Sequence, residues 1–535
     1  MKISQPLKKF LNYKSETIFG AGLLMSLLTF VGSLLGLVRN ALLASHFGAS
    51  HSLDVYYASF RLPDLIYNIF IIGAISAAFI PLFNEYLAKD KDRAWQFSNF
   101  IIIFIGCLLG ILGILIALFA RPLLSRLLIG FDSTNLASVI LLTRIMMIQP
   151  ILLGISSVIS GILRSFRLFF ITTLAPLMYN LGIIIGIIFF VPLWGLKGLA
   201  WGVVFGAALH LIIQLPSLLE VEFRFRLDAL PSLRTFSHDF KQFLAMMSSR
   251  TSSIIISQLF LLGITSLTTL LKSGTLTIFS FVDSILPYTT FALPFADAAF
   301  PKLSRVEADK QTNEFWDVFI STLNHILFFM IPLAIWFIVF REPITRLLLG
   351  YGKFNWQATT TTMQVLSIMA IGMIFQGLNY FLLKVFFAKK DAKNPFWASL
   401  LTYSLGLVLC YILSSKFQIP GLAWGMVATY ILYTFLLVIL LRKHISFSSE
   451  KIKSFVHQLI NLILVSSLSG LVGFITLSYS AKILSLTRVI YLLLDAGLAF
   501  TLSLAVFIMV SLYLKVDEIH EFKILVRNKI YGKQK

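Results

Sequence analysis

Five basic residues stand inside or at the ends of long apolar runs, where a charge needs a reason to be. They are Arg39 in Gly36-Leu-Val-Arg39-Asn40, Arg61 in Phe60-Arg61-Leu-Pro63-Asp64, Arg144, Arg250 in Ser249-Arg250-Thr251, and Lys384. An ionised side chain at mid-bilayer costs ~2.5–3.5 kcal/mol on insertion scales, so it faces a water-filled cavity or a partner. Guanidinium groups hold phosphate oxygens two at a time and keep their charge at any physiological pH. Basic groups converging from five spans would therefore suit an anionic head group such as a diphosphate. For Arg39 and Arg250 the cavity role is favoured. Arg61 and Arg144 read equally well as anchors that snorkel to the outer interface. Asp54, beside Tyr56 and Tyr57, would serve as a gate paired with Arg39 or Arg61, or as a plain loop cap, and Asp64 flanks Arg61 in the same way.

Covalent chemistry has no such foothold. The sequence holds no phosphate loop, no HExxH, no nucleophile elbow and no Cys/His cluster, so neither an enzyme nor a resident metal or cofactor is expected. His210 and His325 lack a ligand at helical spacing and read as polar side chains tucked between helices. Cys107 and Cys410 fall in separate spans and read as packing residues rather than a disulfide.

The elements that must carry these charges are membrane helices. Hydrophobic residues make up 58% of the 535 and charged ones 13%, with a mean hydropathy of +0.88. Crossing ~30 Å of hydrocarbon takes about 20 apolar residues as helix, because backbone polar groups in lipid must pair internally. Fourteen stretches qualify, near 18–43, 61–87, 94–119, 136–163, 168–192, 195–219, 239–271, 276–300, 315–340, 357–388, 394–415, 418–441, 454–478 and 486–514. The first is too long for a cleaved signal peptide and lacks a small-residue cleavage site. With the amino terminus inside, 29 of the 44 basic residues fall on the cytoplasmic side and 10 outside. That bias places both termini in the cytoplasm. It also accounts for most of the +20 net charge without nucleic acid as a partner.

The chain partly repeats itself after about 220 positions. Ala77-Ala78-Phe79 with Pro81 returns as Ala298-Ala299-Phe300 with Pro301, Arg126-Leu-Leu-Ile-Gly130 as Arg346-Leu-Leu-Leu-Gly350, and Gly198-Leu-Ala-Trp-Gly202 letter for letter at Gly421 to Gly425. The expectation is an all-α polytopic membrane protein built from two parallel six-helix repeats and two added carboxy-terminal helices. Its parts are an amino-terminal lobe at 1–220, a cytoplasmic linker at 221–237, a second lobe at 238–442, and the extra pair with a basic tail at 443–535. Duplicated units in membrane proteins enclose transport paths. Gly36, Pro63 and Pro287 mark where spans one, two and eight would bend.

Several of these runs carry a resemblance. Gly36-Leu-Val-Arg39-Asn40, Phe47-Gly48-Ala49, Asp54, Phe60-Arg61-Leu62-Pro63-Asp64, Gly73-Ala74-Ile75-Ser76 and Ala78-Phe79-Ile80-Pro81 resemble the lipid II flippase family, whose pattern there is LGxxRD, FGA, D, FxLPN and GAxSxAFxP. Gln258 after Ser257, Phe300-Pro301, Tyr351-Gly352-Lys353-Phe354 and Asp391 through Pro395 look like its second-half motifs. The resemblance is densest over about 30–90 and spans 15–442. It implies the fold of the multidrug/oligosaccharidyl-lipid/polysaccharide exporter superfamily: two six-helix lobes in a V around a cationic cavity, with the last two spans grooved for a polyprenyl tail. The implied activity is transfer of a lipid-linked peptidoglycan precursor from the inner to the outer leaflet of a bacterial cytoplasmic membrane. Membrane lipids and cell-wall synthesis proteins are the implied partners. Arg39 and Asp54 match family functional positions. Ser33, Tyr67 and either Val282 or Ser284 stand where members often carry arginine, and Ile72 where they carry glutamate.

The mechanism expected is alternating access, with the diphosphate head in the cavity and the lipid tail outside it. A cavity charge moving in the membrane potential gains about 2.3 kcal/mol per 100 mV, enough to bias the cycle. Two other readings stay open: export of another polyprenyl-diphosphate-linked saccharide or a drug on the same fold, and a membrane scaffold that no longer transports.

Overall fold

The computed structural model describes residues 18–72, 79–223, 254–442, 449–483 and 489–514, with Phe225, Val516, Glu518 and Ile519. Arg250, most of the 221–237 linker, Gly73-Ala74-Ile75-Ser76 with Ala77 and Ala78, and both basic tails lie outside the described residues. Everything regular among those described is helix. The reason is the composition: long apolar runs without water can satisfy their backbone only within one segment. Among the described residues ten helices are long and apolar enough to cross a membrane, and an eleventh arises if the pair Thr275–Ile285 and Thr290–Ala308, bent by 55°, forms one span.

Contact density divides the chain into two compact units, Met1–Thr277 and Ile278–Lys535. The first contains α1 (Ile18–Phe47), α2 (His51–Ser59), α3 (Arg61–Tyr67), α4 (Ile80–Lys89), α5 (Lys91–Leu127), α6 (Ser133–Met146), α7 (Ile148–Ser165), α8 (Phe169–Ile185), α9 (Val191–Trp194), α10 (Leu196–Ile212) and α11 (Leu215–Glu220). Helix α12 (Ile254–Thr269) follows. Residues Asn68–Ile72 continue α3 as a π-helical turn, and Gly186–Phe190 do the same after α8. Polar caps start the helices where loops meet them: the Asp90 carboxylate accepts from the amides of Asp92 and Arg93, and Asp132 accepts from Asn135. The core is aromatic, with the Phe79 ring stacked on Phe83 and Phe97 at 5.5 and 5.8 Å, and Trp95 stacked on Phe166 at 5.7 Å.

The second unit contains α13 (Thr275–Ile285, entering from the last residues of the first unit), α14 (Tyr288–Ala308), α15 (Thr312–Val339), α16 (Arg341–Leu349), α17 (Trp356–Ala388), α18 (Lys393–Arg442), α19 (Ser449–Ile483) and α20 (Val489–Tyr513). Pro287 stands at the break between α13 and α14. The last two helices are stitched on by hydroxyls. Ser469 and Ser503 exchange bonds to each other's carbonyls at 2.8 and 2.7 Å, and the Trp336 indole of α15 donates to the Ser469 hydroxyl at 3.0 Å. Below them Leu327, Phe328 and Ile331 pack on Leu462, Val465 and Phe507.

The repeated Gly-Leu-Ala-Trp-Gly motif has a common local structure in its two settings. Just before it, Gly195 adopts φ 58°, ψ −135°, and Gln418 adopts φ 56°, ψ −133°. The second value breaks α18 into the two segments read from the sequence as separate spans. Left-handed φ is costly for a residue with a Cβ, so Gln418 is held there by its surroundings. Those surroundings are close helix crossings: a Cβ at Gly198 would stand 2.3 Å from the Phe190 carbonyl oxygen, and one at Gly421 only 2.1 Å from that of Leu413. One turn further on, Gly202 meets Gly186 and Gly425 meets Cys410 with equal intimacy.

Gly421→Ala is therefore expected to lower the stability of the purified protein by ~1–3 kcal/mol, the range for overpacking a tight contact. Gly36 faces open space, with nothing within 4 Å of an added Cβ, so Gly36→Ala should melt with the unaltered protein. Thermal unfolding in detergent reads both, and equal melting of the two variants would refute the crossing argument.

Candidate functional site

Two of the embedded charges in the first unit, Arg61 and Asp64, share tyrosine neighbours with the guanidinium of Arg39. Gly32 lets α8 approach α1, since a Cβ there would stand 3.2 Å from Leu177. Two turns further along α1, Arg39 meets Asn180, three residues beyond Leu177 on α8. The Arg39 Nη1 donates to Asn180 Oδ1 at 3.0 Å, while Nε and Nη2 both donate to Asn40 Oδ1 at 3.3 and 3.2 Å. These acceptors are neutral amides, and no carboxylate pairs with Arg39 among the described residues. The charge is oriented without being cancelled.

Tyrosines and a second charged pair surround it. Tyr56 is buried, packed edge-on against Tyr57 at 5.3 Å and Phe60 at 4.9 Å. Tyr56 and Tyr179 both lie in the field of Arg39 and of Asp64. Asp64 accepts from Gln149 of α7 and lies in the field of Arg61. Arg61 and Asp64 flank Pro63, which is buried in the first turn of α3, where its missing N–H is no loss. Below them the Tyr67 hydroxyl meets that of Ser157 at 3.2 Å. Such a cluster can hold an anion and orient it, and it contains no nucleophile with an adjacent base.

Asp54 has different partners from those its sequence neighbours suggested. Its carboxylate accepts from the amide of Gly274 at 2.6 Å and from the amide and hydroxyl of Thr277, both at 2.8 Å. It caps the start of α13, where helix N–H groups lack internal partners and the dipole favours an anion. Neither Arg39 nor Arg61 is among the partners. Burial raises its pKa above the ordinary carboxylate value, while the Thr277 and Gly274 donors pull it down. Gly274 has φ +86° and no room for a Cβ, which would meet the Ala49 carbonyl oxygen at 2.6 Å. The two separations in sequence, 220 and 223 residues, equal the offsets of the repeated motifs.

Arg144 and Lys384 have other partners. Arg144 is exposed, and its Nε donates to the Ala117 carbonyl of α5 at 2.9 Å. Lys384 belongs to the second unit, 2.7 Å from Asp297 and beneath the rings of Phe300 and Tyr380 at 5.5 and 5.2 Å. Arg250 lies outside the described residues. Helix α1 runs unbroken through Gly36. Sequence reading missed Asn180, Gln149, Asp297 and the Ser156 and Gln214 partners of His210, although a lone amide in an apolar run was a visible signal. No three metal-binding side chains cluster among the described residues.

Asp54→Ala should cost ~1–3 kcal/mol, the penalty of leaving buried donors at Gly274 and Thr277 without an acceptor. Asp54→Asn, which keeps one acceptor oxygen, should fall between. A melting temperature unchanged by Asp54→Ala would mean the cap contributes nothing.

Comparison with known proteins bears on the chain as a whole. A family model described as lipid II flippase MurJ matches residues 43–515. A lipid II flippase MurJ of Burkholderia cenocepacia is 27% identical over 411 residues, 75% of this chain and 78% of the relative. A solved structure of lipid II flippase MurJ in an inward closed conformation superposes with a TM-score of 0.74 at 22% identity, covering 93% of this chain and all of the other. An inward-facing multidrug resistance MATE family transporter of the MOP superfamily superposes with a TM-score of 0.65 at 13% identity, over 77% of this chain and 94% of its own.

Proposed function

This chain belongs to the lipid II flippase MurJ family, and from that premise we propose that it moves lipid-linked peptidoglycan precursor from the inner to the outer leaflet of a bacterial cytoplasmic membrane. The observation that carries the reading is the family match across residues 43–515, together with an embedded guanidinium that keeps its charge. It is a multi-pass membrane protein. We take both termini to be cytoplasmic, on the bias of lysine and arginine. The division at 1–220, 221–237, 238–442 and 443–535 is the organising proposal for its parts.

The mechanism is alternating access without covalent chemistry. Arg39, Arg61 and Arg250 act on the diphosphate as it enters from the cytoplasmic face. Each Arg39 nitrogen already donates to an amide oxygen, but a neutral acceptor yields to phosphate oxygens where a carboxylate partner would compete with them. Lys384 has such a competitor in Asp297 and takes part only when that pair opens. Asp54 works as the outer gate: while its carboxylate caps α13, the ends of α2 and α13 stay together on the outer side. Asp64 supports Arg61, and Pro63 and Pro287 give the bends that let helices move. The polyprenyl tail stays in lipid along α19 and α20, whose outward faces are apolar.

Expression in cells depleted of their own lipid II flippase tests the reading. Rescue of growth, with lipid II newly accessible at the outer leaflet, is the expected outcome. Arg39→Ala should abolish rescue, and Arg39→Lys should restore only part of it, because an ammonium cannot reproduce the planar fork. Failure of the unaltered chain to export lipid II in such cells would refute the function.

A further inference from the structure

Helix α7 carries one polar face through an apolar bundle. Gln149, Ser156, Ser157, Ser160 and Arg164 fall within about 100° of one another at 3.6 residues per turn. All but the last are engaged inside the first unit, although the Gln149 Oε1 has no donor. Gln149 bonds Asp64, Ser157 bonds Tyr67 at 3.2 Å, Ser156 meets His210 Nδ1 at 2.7 Å, and Ser160 donates to Gln214 Oε1 at 2.7 Å. Arg164 ends the row with no hydrogen bond or ion pair from its guanidinium among the described residues. The field around it comes from Tyr67 on one side and reaches His210 on the other, and no carboxylate contributes.

Elsewhere Arg144 holds a backbone carbonyl, Lys384 holds Asp297, Lys389 holds Glu307 and Arg346 holds Glu342, whereas the exposed Arg164 side chain holds no acceptor among the described residues. The groups near Arg164 are polar and neutral. Gln214 Nε2 donates to the Ser156 hydroxyl at 2.7 Å and to the His210 carbonyl at 3.0 Å, which fixes its amide. The Ser156 hydroxyl meets both His210 Nδ1 at 2.7 Å and the His210 carbonyl at 3.2 Å. Ser157 can donate to Tyr67 and free the phenolic proton. A five-donor cation that pairs with no carboxylate among the described residues can hold a polyanion.

We propose that Arg164, with Tyr67 and His210 beside it, is a phosphate-binding station for the diphosphate of the transported lipid, at the cytoplasmic end of α7. This rests on the flippase reading above and deepens it. It also explains one departure from the family pattern: Tyr67 occupies a position where members often carry arginine, and here the positive charge enters from the neighbouring helix two turns below Ser157. The same phosphate chemistry could be met by a phospholipid head group, with Arg164 acting only as an interfacial anchor.

The test uses the full chain in phosphatidylcholine nanodiscs, with binding measured for undecaprenyl diphosphate, undecaprenyl monophosphate and phosphatidylglycerol. Arg164→Ala should weaken diphosphate binding about tenfold, as loss of a charge-assisted bond would. Arg164→Lys should recover part of it, Arg167→Ala should leave it unchanged, and Tyr67→Arg added to Arg164→Ala should restore it. The melting temperature of each variant separates lost binding from lost folding. Diphosphate binding that survives Arg164→Ala overturns the proposal. So does an equal loss for phosphatidylglycerol, which would make Arg164 a lipid anchor. In flippase-depleted cells, rescue by both the unaltered chain and Arg164→Ala refutes the role of Arg164 alone. No rescue by either, with diphosphate binding still dependent on Arg164, refutes the flippase reading alone.

Discussion

A guanidinium inside a lipid-embedded bundle must be held by something, and here Arg39 is held by the carbonyl oxygens of two amides. The alternative, a carboxylate, would repay the cost of burial more fully but would leave no net charge. Amide acceptors give a weaker and directional hold, so the side chain is fixed in place while its field persists. The surrounding tyrosines, the Asp64–Gln149 bond and the close approach of α8 to α1 at Gly32 all serve that geometry. Lys384 illustrates the opposite arrangement, in which a carboxylate and two rings saturate the ammonium.

Close approach is the second constraint, and it is supplied by glycine. In lipid there is no hydrophobic force between helices, so association depends on dispersion and on hydrogen bonds that only near contact allows. The crossings at Gly182, Gly186, Gly202 and Gly206 in the first unit have counterparts at Gly406, Gly421 and Gly425 in the second. The serine exchange between α19 and α20 follows the same logic with hydroxyls in place of bare backbone.

In the gate we propose, Asp54 joins these constraints to movement. A carboxylate seated on a helix start by three donors is firmly held while closed and is soluble in water once released. Its burial opposes its charge, so the seat depends on all three donors arriving together. That makes it suited to a contact with two discrete arrangements rather than a graded one.

Residue types and their order were enough to establish a polytopic helical membrane protein, because an apolar run of about 20 residues has few other ways to satisfy its backbone. They also sufficed to single out Arg39, Asp54 and Asp64 as charges in unusual places, and to carry the family resemblance. Partners were another matter. Asn180 lies 141 residues from Arg39, and Thr277 lies 223 from Asp54. Nothing local in a sequence records which helices cross, so Asp54 looked equally suited to an arginine beside it. Arg144 and Arg164 are alike as letters near the ends of spans. Only the folded chain separates them, because it brings the Ala117 carbonyl to the first and no acceptor among the described residues to the second.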